Sequence, residues 1–544
     1  MIYDIIFITG EAFFDHPLSG VAILKRWLEK YGYSVGVIEM PYSDKDILKL
    51  GRPRLFFGLT SGSMDSMLRN YNALKRLRID DPNEDGVQGY VPDRAIIVNS
   101  NWARAQFKDS IIVLGGTEAT LRRFTHYDYW DNKLRKPILV DSRADILSYG
   151  NSEKQILEIA NRLKDAYENS SCDIIKARTV LSGISGTCIM SKIIPENQKF
   201  KELPSHEEVS SSKEKFCDMQ NLFSNKFNLA EKVVDRYVLQ YASPKYTPQD
   251  LDEYYELGFT REIPNEIRHL RGFEFSVVTH RGCIGNCNFC SLNLTQGDEI
   301  ISRSEESILR EIAHITTLGY FTGNIDDLGG PAANMYGMDC GKCDSNCIDC
   351  NNLPKDNKRL IHLLKKAREI PGVEHVYVRS GVRFDLCTEE YLKELVTYHT
   401  VDTLRIAPEH ISEDILKLMN KNKGSLPKFL KSFETINNEL TVENKKELSF
   451  YFMTAHPGST MAHAAELAKF LRNVKNAEAI QIFTPTPMTV STCMYYTGLD
   501  PKTKKPIYVP YTFTEKKDQK RMITENFRRE DRFKTSSQYN RSHY

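Results

Sequence analysis

Cys283, Cys287 and Cys290 stand in the segment HRGCIGNCNFCSL with the spacing C-x3-C-x2-C, directly after the apolar run FEFSVV. Thiols so placed are ligands for iron–sulfur clusters or soft metal ions. Such clusters ordinarily take four cysteines. Three would therefore hold a 4Fe–4S cubane with one iron left to an exogenous ligand, as catalytic metal sites keep one position open. Gly282, Gly285 and Ser291 are small enough for a short loop to wrap a bulky cluster, and Phe289 would screen it from water, which influences its potential. Zinc is the competing reading, yet zinc sites draw four ligands from paired C-x2-C or histidine motifs. The nearest further donors are His280 and a second cysteine group.

That second group is Cys340, Cys343, Cys347 and Cys350 in CGKCDSNCIDC, spaced C-x2-C-x3-C-x2-C. Four thiols so close suit either zinc stabilising a long loop, or a second Fe–S cluster that relays electrons or holds substrate. The other five of the 12 cysteines (Cys172, Cys188, Cys217, Cys387, Cys493) are scattered, as small buried hydrophobes are.

These residues need a scaffold, and 544 residues suffice for two or three packed units. Residues 1–170 alternate strand-like runs (DIIFIT, SVGVIEM, RLFFGLT, SIIVLGGTEA) with helical stretches such as VAILKRWLEKYG, which predicts a Rossmann-like doubly wound sheet. Residues 171–270 read as a linker and connecting segment, charged and poor in apolar periodicity over 195–228. From 271 to 500 six more strand-like runs alternate mostly with helical segments, predicting a partial (β/α)6 TIM-type barrel with its site at the C-terminal strand ends. The 340–350 cysteines form an insertion in it. Residues 501–544 read as a C-terminal extension, partly disordered.

Lys+Arg at 73 against Asp+Glu at 72 leaves a net charge of +1. This gives no global electrostatic case for a nucleic-acid or membrane partner, while a local basic groove stays open. No run approaches the about 20 apolar residues that span a bilayer. The N-terminal stretch carries Asp4 and Glu11 without a basic region and reads as a buried strand, so a cytoplasmic location is expected. In that reducing setting clustered thiols are metal ligands more often than disulfides.

C-x3-C-x2-C with an aromatic before the last cysteine resembles the signature of the radical S-adenosylmethionine (SAM) superfamily. The chain is similar more closely to the YgiQ family of radical SAM proteins, through DHPLSGVAI, PRLFFGLTSGSMDSM, GGTEATLRRFTHYDYW, DDLGGPAANMYG, VRSGVRFDL, RIAPEH and TPTPMTVSTCMYYTGLDP, which together span residues 15 to 501. The resemblance implies SAM chelated at the open iron, reductive SAM cleavage to a 5′-deoxyadenosyl radical, and a reductant such as flavodoxin or ferredoxin. Gly329 and Gly330 resemble the backbone segment that contacts the SAM amino group, with Pro331 where many relatives carry glutamate. Ser380, Arg383 and Asp385, and Arg405 and Glu409, at the ends of the third and fourth barrel strands, could bind SAM or substrate, or form a barrel-capping ion pair. His456, Pro457 and Gly458 close the fifth strand as a turn or a wall of the adenine pocket.

The N-terminal unit resembles cobalamin-binding domains, but the D-x-H-x-x-G pattern is broken at Asp15, His16 and Gly20, which argues against cobalamin. His126, Tyr127, Tyr129 and Trp130 with Arg122, Arg123 and Arg135 could stack on nucleotides or sit in the core. A tRNA methylthiotransferase is the rival enzyme, and lacks here its usual basic C-terminal domain. A non-catalytic Fe–S or zinc protein is the rival of another class.

Overall fold

The computed structural model describes residues 2–78, 91–169, 173–265, 267, 271–340, 347–421, 424–472, 474 and 477–531. Runs such as IIFIT and IIVL are apolar at every position because both faces of a parallel sheet are covered by helices. They form β1 (Ile5–Thr9), β2 (Val35–Glu39), β3 (Phe56–Thr60), β4 (Ile111–Leu114) and β5 (Ile146–Ser148), and β1 and β4 are buried throughout. Helix α1 (Gly20–Lys30) starts where the Ser19 hydroxyl accepts the Ala22 N–H, and buries Val21, Ile23, Trp27 and Leu28 against the sheet. A short helix α2 (Gly116–Leu121) follows β4, and α3 (Glu153–Asn169) follows β5.

The sheet does not stop at residue 170. Thr187–Ser191 (β6), Lys201–Leu203 (β7), Leu229–Val233 (β8) and Arg236–Gln240 (β9) extend it, giving the order β2-β1-β3-β4-β5-β6-β9-β8-β7, parallel up to β5 and largely antiparallel beyond. The stretch read as a linker thus belongs to the first unit, and within it α4 (Lys213–Leu222) buries Phe216, Cys217 and Met219. Its short edge strands and mostly polar helix surfaces carry charges, which hid the pattern. Cys172 lies outside the described residues.

The second unit is the predicted incomplete barrel. Its parallel strands are β10 (Ser276–Val278), β11 (Asp327–Gly329), β12 (His375–Val376), β13 (Thr403–Glu409), β14 (Glu447–Thr454) and β15 (Ala477–Ile482). Between them α5 (Glu305–Ile315) is capped by Ser304, opens on Glu305 and Glu306 beside the helix dipole, and buries Ile308, Ile312 and Ile315 on one stripe. Helices α6 (Lys358–Arg368), α7 (Leu426–Asn438) and α8 (Met461–Leu471) cover the outer face in the same way.

Beyond β15 the chain continues in two further helices. Helix α9 (Val490–Thr497) carries Cys493 and Tyr495 into the same core as Tyr127 and Tyr129 of the first unit. Helix α10 (Phe513–Asp531) packs on α8. Gln519 accepts from Thr454 Oγ1 and Ala455 N, and Lys516 Nζ donates to the Tyr129 and Tyr495 hydroxyls at 2.9 Å each. One helix thereby joins both units. Residues 532–544 lie outside the described ones.

Candidate active site at the barrel mouth

The cysteine loop leaves the barrel just beyond β10, where His280–Arg281 pair with Ile301–Ser302. Its path demands glycine at 282: φ is +88°, and a Cβ would stand 1.7 Å from the Glu299 carbonyl oxygen. Cys283 N donates to Gly297 O at 3.0 Å and Cys290 N to Cys287 O at 3.0 Å, closing the loop on itself. Asn288 anchors it from outside, with its N–H on Met419 O, its amide on Leu418 O, and its carbonyl accepting from Ser491 N. All three thiols are half-buried. Burial pushes the Cys290 thiol up to about 12 and raises that of Cys283, so both are neutral without a metal to draw off the proton.

Two cations flank the thiols. Arg383 Nη1 lies 3.5 Å from Cys287 Sγ. Lys421 sits 5.8 Å from the Phe289 ring centroid and pairs at 3.0 Å with Glu409, whose φ of +66° is unusual for a residue with a side chain. Among the described residues no three His, Cys, Asp or Glu side chains converge on one point to chelate a single ion. The loop carries three thiols on one short segment, a donor set whose type and spacing suit three irons of a cluster.

Beside this loop a crevice of about 570 Å³ runs between the two units. On one side it meets the C-terminal ends of β1, β3 and β4 with Glu11, Gly62, Gly115 and Gly116. On the other it meets Asp327, Gly329, Gly330, Ser380, His280 and Arg281. A Cβ at Gly330 would stand 2.5 Å from the His280 ring, so this glycine also lets the imidazole pack under the wall. Arg281 pairs with Glu153 of α3 at 2.7 Å across the unit boundary. The crevice carries no unpaired cation among its lining residues.

The structure thus sorts the predicted residues into two groups. Phe289, Arg383, Asp385 and Glu409 gather at the thiol loop; Gly329, Gly330 and Ser380 line the crevice. Arg405 belongs to neither, being the third residue of the seven in β13, exposed, and outside the crevice lining. The expectation that it stands at the strand end is corrected, because β13 runs on to Glu409. His456 is fully buried, with Nδ1 on Pro457 O and Nε2 on Ser491 Oγ at 2.7 Å, so it fixes a turn and does not face the crevice. Asp327 and Lys421 were not singled out from the sequence. An aspartate beside another at a strand start and a lysine in a polar loop carry no pattern.

Cys340, Cys347 and Cys350 pack with Cys283 against one apolar cluster that includes Ile284, Met335, Met338, Ile348 and Leu353. Cys343 lies outside the described residues. His16 is committed on both nitrogens: Nδ1 accepts from Leu18 N, and Nε2 lies 2.9 Å from Glu274 O in the barrel unit. The basic-aromatic stretch is internal. Arg122 is ion-paired with Asp65 in the core, and Arg123 lies 4.5 Å from both the Tyr149 and Phe223 rings, so neither is open to a nucleotide.

A thiol loop at the mouth of a partial barrel behind a doubly wound unit defines a radical SAM protein, and comparison agrees. Residues 2–273 match the Radical SAM N-terminal family and residues 277–471 the Radical SAM superfamily. A UPF0313 protein of Methanocaldococcus jannaschii is 44% identical over 95% of this chain and 88% of its own length. One of Fusobacterium nucleatum is 39% identical over 96% of each, and one of Methanocella arvoryzae 40% over 94% and 89%. The chain belongs to the UPF0313 family, YgiQ-like radical SAM enzymes whose membership implies a 4Fe–4S cluster and SAM. In fold it is similar to the radical SAM methyltransferase TsrM from Kitasatospora setae. One structure of that enzyme holds tryptophan and a SAM analogue (TM-score 0.53, 13% identity, 90% of this chain and 76% of that one). Another holds cobalamin and a [4Fe-4S] cluster (TM-score 0.51, 13% identity, 96% and 85%). No helix among the described residues is long and apolar enough to cross a membrane.

Proposed function

We propose that this chain binds a 4Fe–4S cluster through Cys283, Cys287 and Cys290 and cleaves SAM reductively to act on a substrate held in the crevice. The observation that carries the reading is the placement of three sulfur ligands on one loop beside a wall of Gly329, Gly330 and Ser380. When bound, cluster and SAM supply one-electron cleavage of the sulfonium to methionine and a 5′-deoxyadenosyl radical. The chain's own residues position and shield. Glycines 329 and 330 let main-chain carbonyls approach a ligand amine, the Asp327–Ser380 pair stiffens that wall, and Phe289 covers the thiol loop. The electron would come from a reductant such as flavodoxin or ferredoxin in the cytoplasm. The Cys340–Cys350 loop, on the same apolar cluster as Cys283, would hold zinc or a second Fe–S cluster. A corrinoid is not part of the reading, since the D-x-H-x-x-G pattern is broken at Asp15, His16 and Gly20.

Anaerobically reconstituted protein, reduced with dithionite and given SAM, should release 5′-deoxyadenosine. A preparation with a full cluster that releases none would refute the proposal. Cys287→Ala should lose both the cluster absorbance and the product.

A further inference from the structure

The guanidinium of Arg383 is shared between a carboxylate and a thiol. Nε and Nη2 donate to the two oxygens of Asp385 at 3.0 and 2.6 Å, while Nη1 points at Cys287 Sγ at 3.5 Å. Both side chains are shielded, 9% and 4% exposed. The backbone of Arg383 is gripped on both sides by one amide: its N–H donates to Asn334 Oδ1 and its carbonyl accepts from Asn334 Nδ2, each at 2.9 Å. Space for Nη1 exists because residue 285 is glycine, where a Cβ would lie 2.2 Å from that nitrogen. An arginine already neutralised through two donors gains little from aiming a third at a neutral thiol, which is a weak acceptor. A charged acceptor gives a hydrogen bond roughly twice as strong, and a cluster-bound thiolate is one.

We infer that Arg383 is a positioning residue that sets the cluster's reduction potential, donating from Nη1 to the cluster-bound sulfur of Cys287 while Asp385 holds the fork in place. The inference rests on the cluster assignment above. Hydrogen bonds to the sulfurs and nearby charge are among the determinants of Fe–S potentials. A donor of this kind stabilises the reduced, more negative cluster and so eases entry of the electron. Arg383 stands outside the crevice lining, with its donors directed at Asp385 and Cys287. Lys421, the other cation near the loop, is paired with Glu409 and makes no hydrogen bond to sulfur.

The test is a redox titration of the reconstituted full-length protein, followed by electron paramagnetic resonance without SAM. Arg383→Met should disfavour reduction about tenfold, a shift of about 59 mV to lower potential for a one-electron couple, at unchanged iron content. Arg383→Lys keeps the charge without the fork and should shift less. Asp385→Asn removes a negative charge beside a guanidinium that stays charged and should shift the potential upward. If the methionine variant does not retain a cluster, Asp385→Asn and Gly285→Ala carry the test. Unmoved potentials in iron-replete variants overturn the inference, as does a change confined to SAM affinity, which would assign Arg383 to SAM. A wild-type protein that reconstitutes no paramagnetic cluster overturns the functional reading itself.

Discussion

The Ser380 hydroxyl donates to Asp327 Oδ2 at 2.5 Å, joining the segment after β12 to the start of β11 at the crevice wall. Asp327 also accepts from the N–H groups of Arg379 and Ser380, so the carboxylate remains held if the hydroxyl is removed. Ser380→Ala should therefore cost no more than about 1 kcal/mol of stability. If this wall is the SAM side, the variant should weaken SAM binding by about tenfold, or ~1.4 kcal/mol, in anaerobic equilibrium binding. An unchanged SAM affinity would place SAM elsewhere along the crevice.

Arg281 and Glu153 meet across the two units at 2.7 Å, with side chains only 8% and 5% exposed. Removing one partner leaves a buried charge without compensation. Arg281→Met should lower stability by about 3–5 kcal/mol, seen as an earlier thermal transition, and pairing it with Glu153→Leu should restore part of the loss. Equal loss in the single and double variants would show that the two residues do not act as a pair.

Burial holds five histidines below their ordinary value, His16, His126, His280 and His410 at about 3 and His456 at about 4. The unfolded chain takes up protons near pH 6.5 while the folded one does not. Their contribution is thus fully present above pH 6.5 and is lost as pH falls toward 3, at up to ~1.4 kcal/mol per pH unit for each histidine. Thermal scans from pH 7.5 to 5 should show a transition that drops steeply below pH 6.5. A flat profile would mean these imidazoles are not neutral in the fold.

The two cysteine loops should lose their metals independently. Cys347→Ser with Cys350→Ser should remove about one zinc or about four irons per chain while the Cys283–Cys290 cluster spectrum persists. Cys287→Ala should do the reverse. Elemental analysis of both variants decides, and loss of all metal from either would show one shared centre.

The parallel strands of the first unit were legible because they are largely buried on two faces and read as apolar runs, IIFIT and IIVL among them. Strands β7 and β8, and helices α4 and α10, were not. The two strands are short and carry charges, and both helices are rich in charged residues, which masks their buried faces. The same limit governed the site. Spacing alone marked Cys283, Cys287 and Cys290, since a thiol motif is local in sequence. Asp327 and Lys421 act through partners 53 and 12 residues away, a separation that leaves no local pattern.

By itself the sequence determined the class of this protein: a local thiol motif after an apolar strand marks a radical SAM chain, because ligand type and spacing are properties of a short segment. Only the tertiary structure decided where that chemistry is directed. Folding brought Arg383 to Cys287, set Gly329 and Ser380 facing the glycine loops of the first sheet, committed both nitrogens of His16, and left Arg405 outside the crevice. Those relations depend on strand ends and side-chain packing between segments far apart in sequence, 96 residues for Arg383 and Cys287, which close-packed interiors fix only when the whole chain is in place.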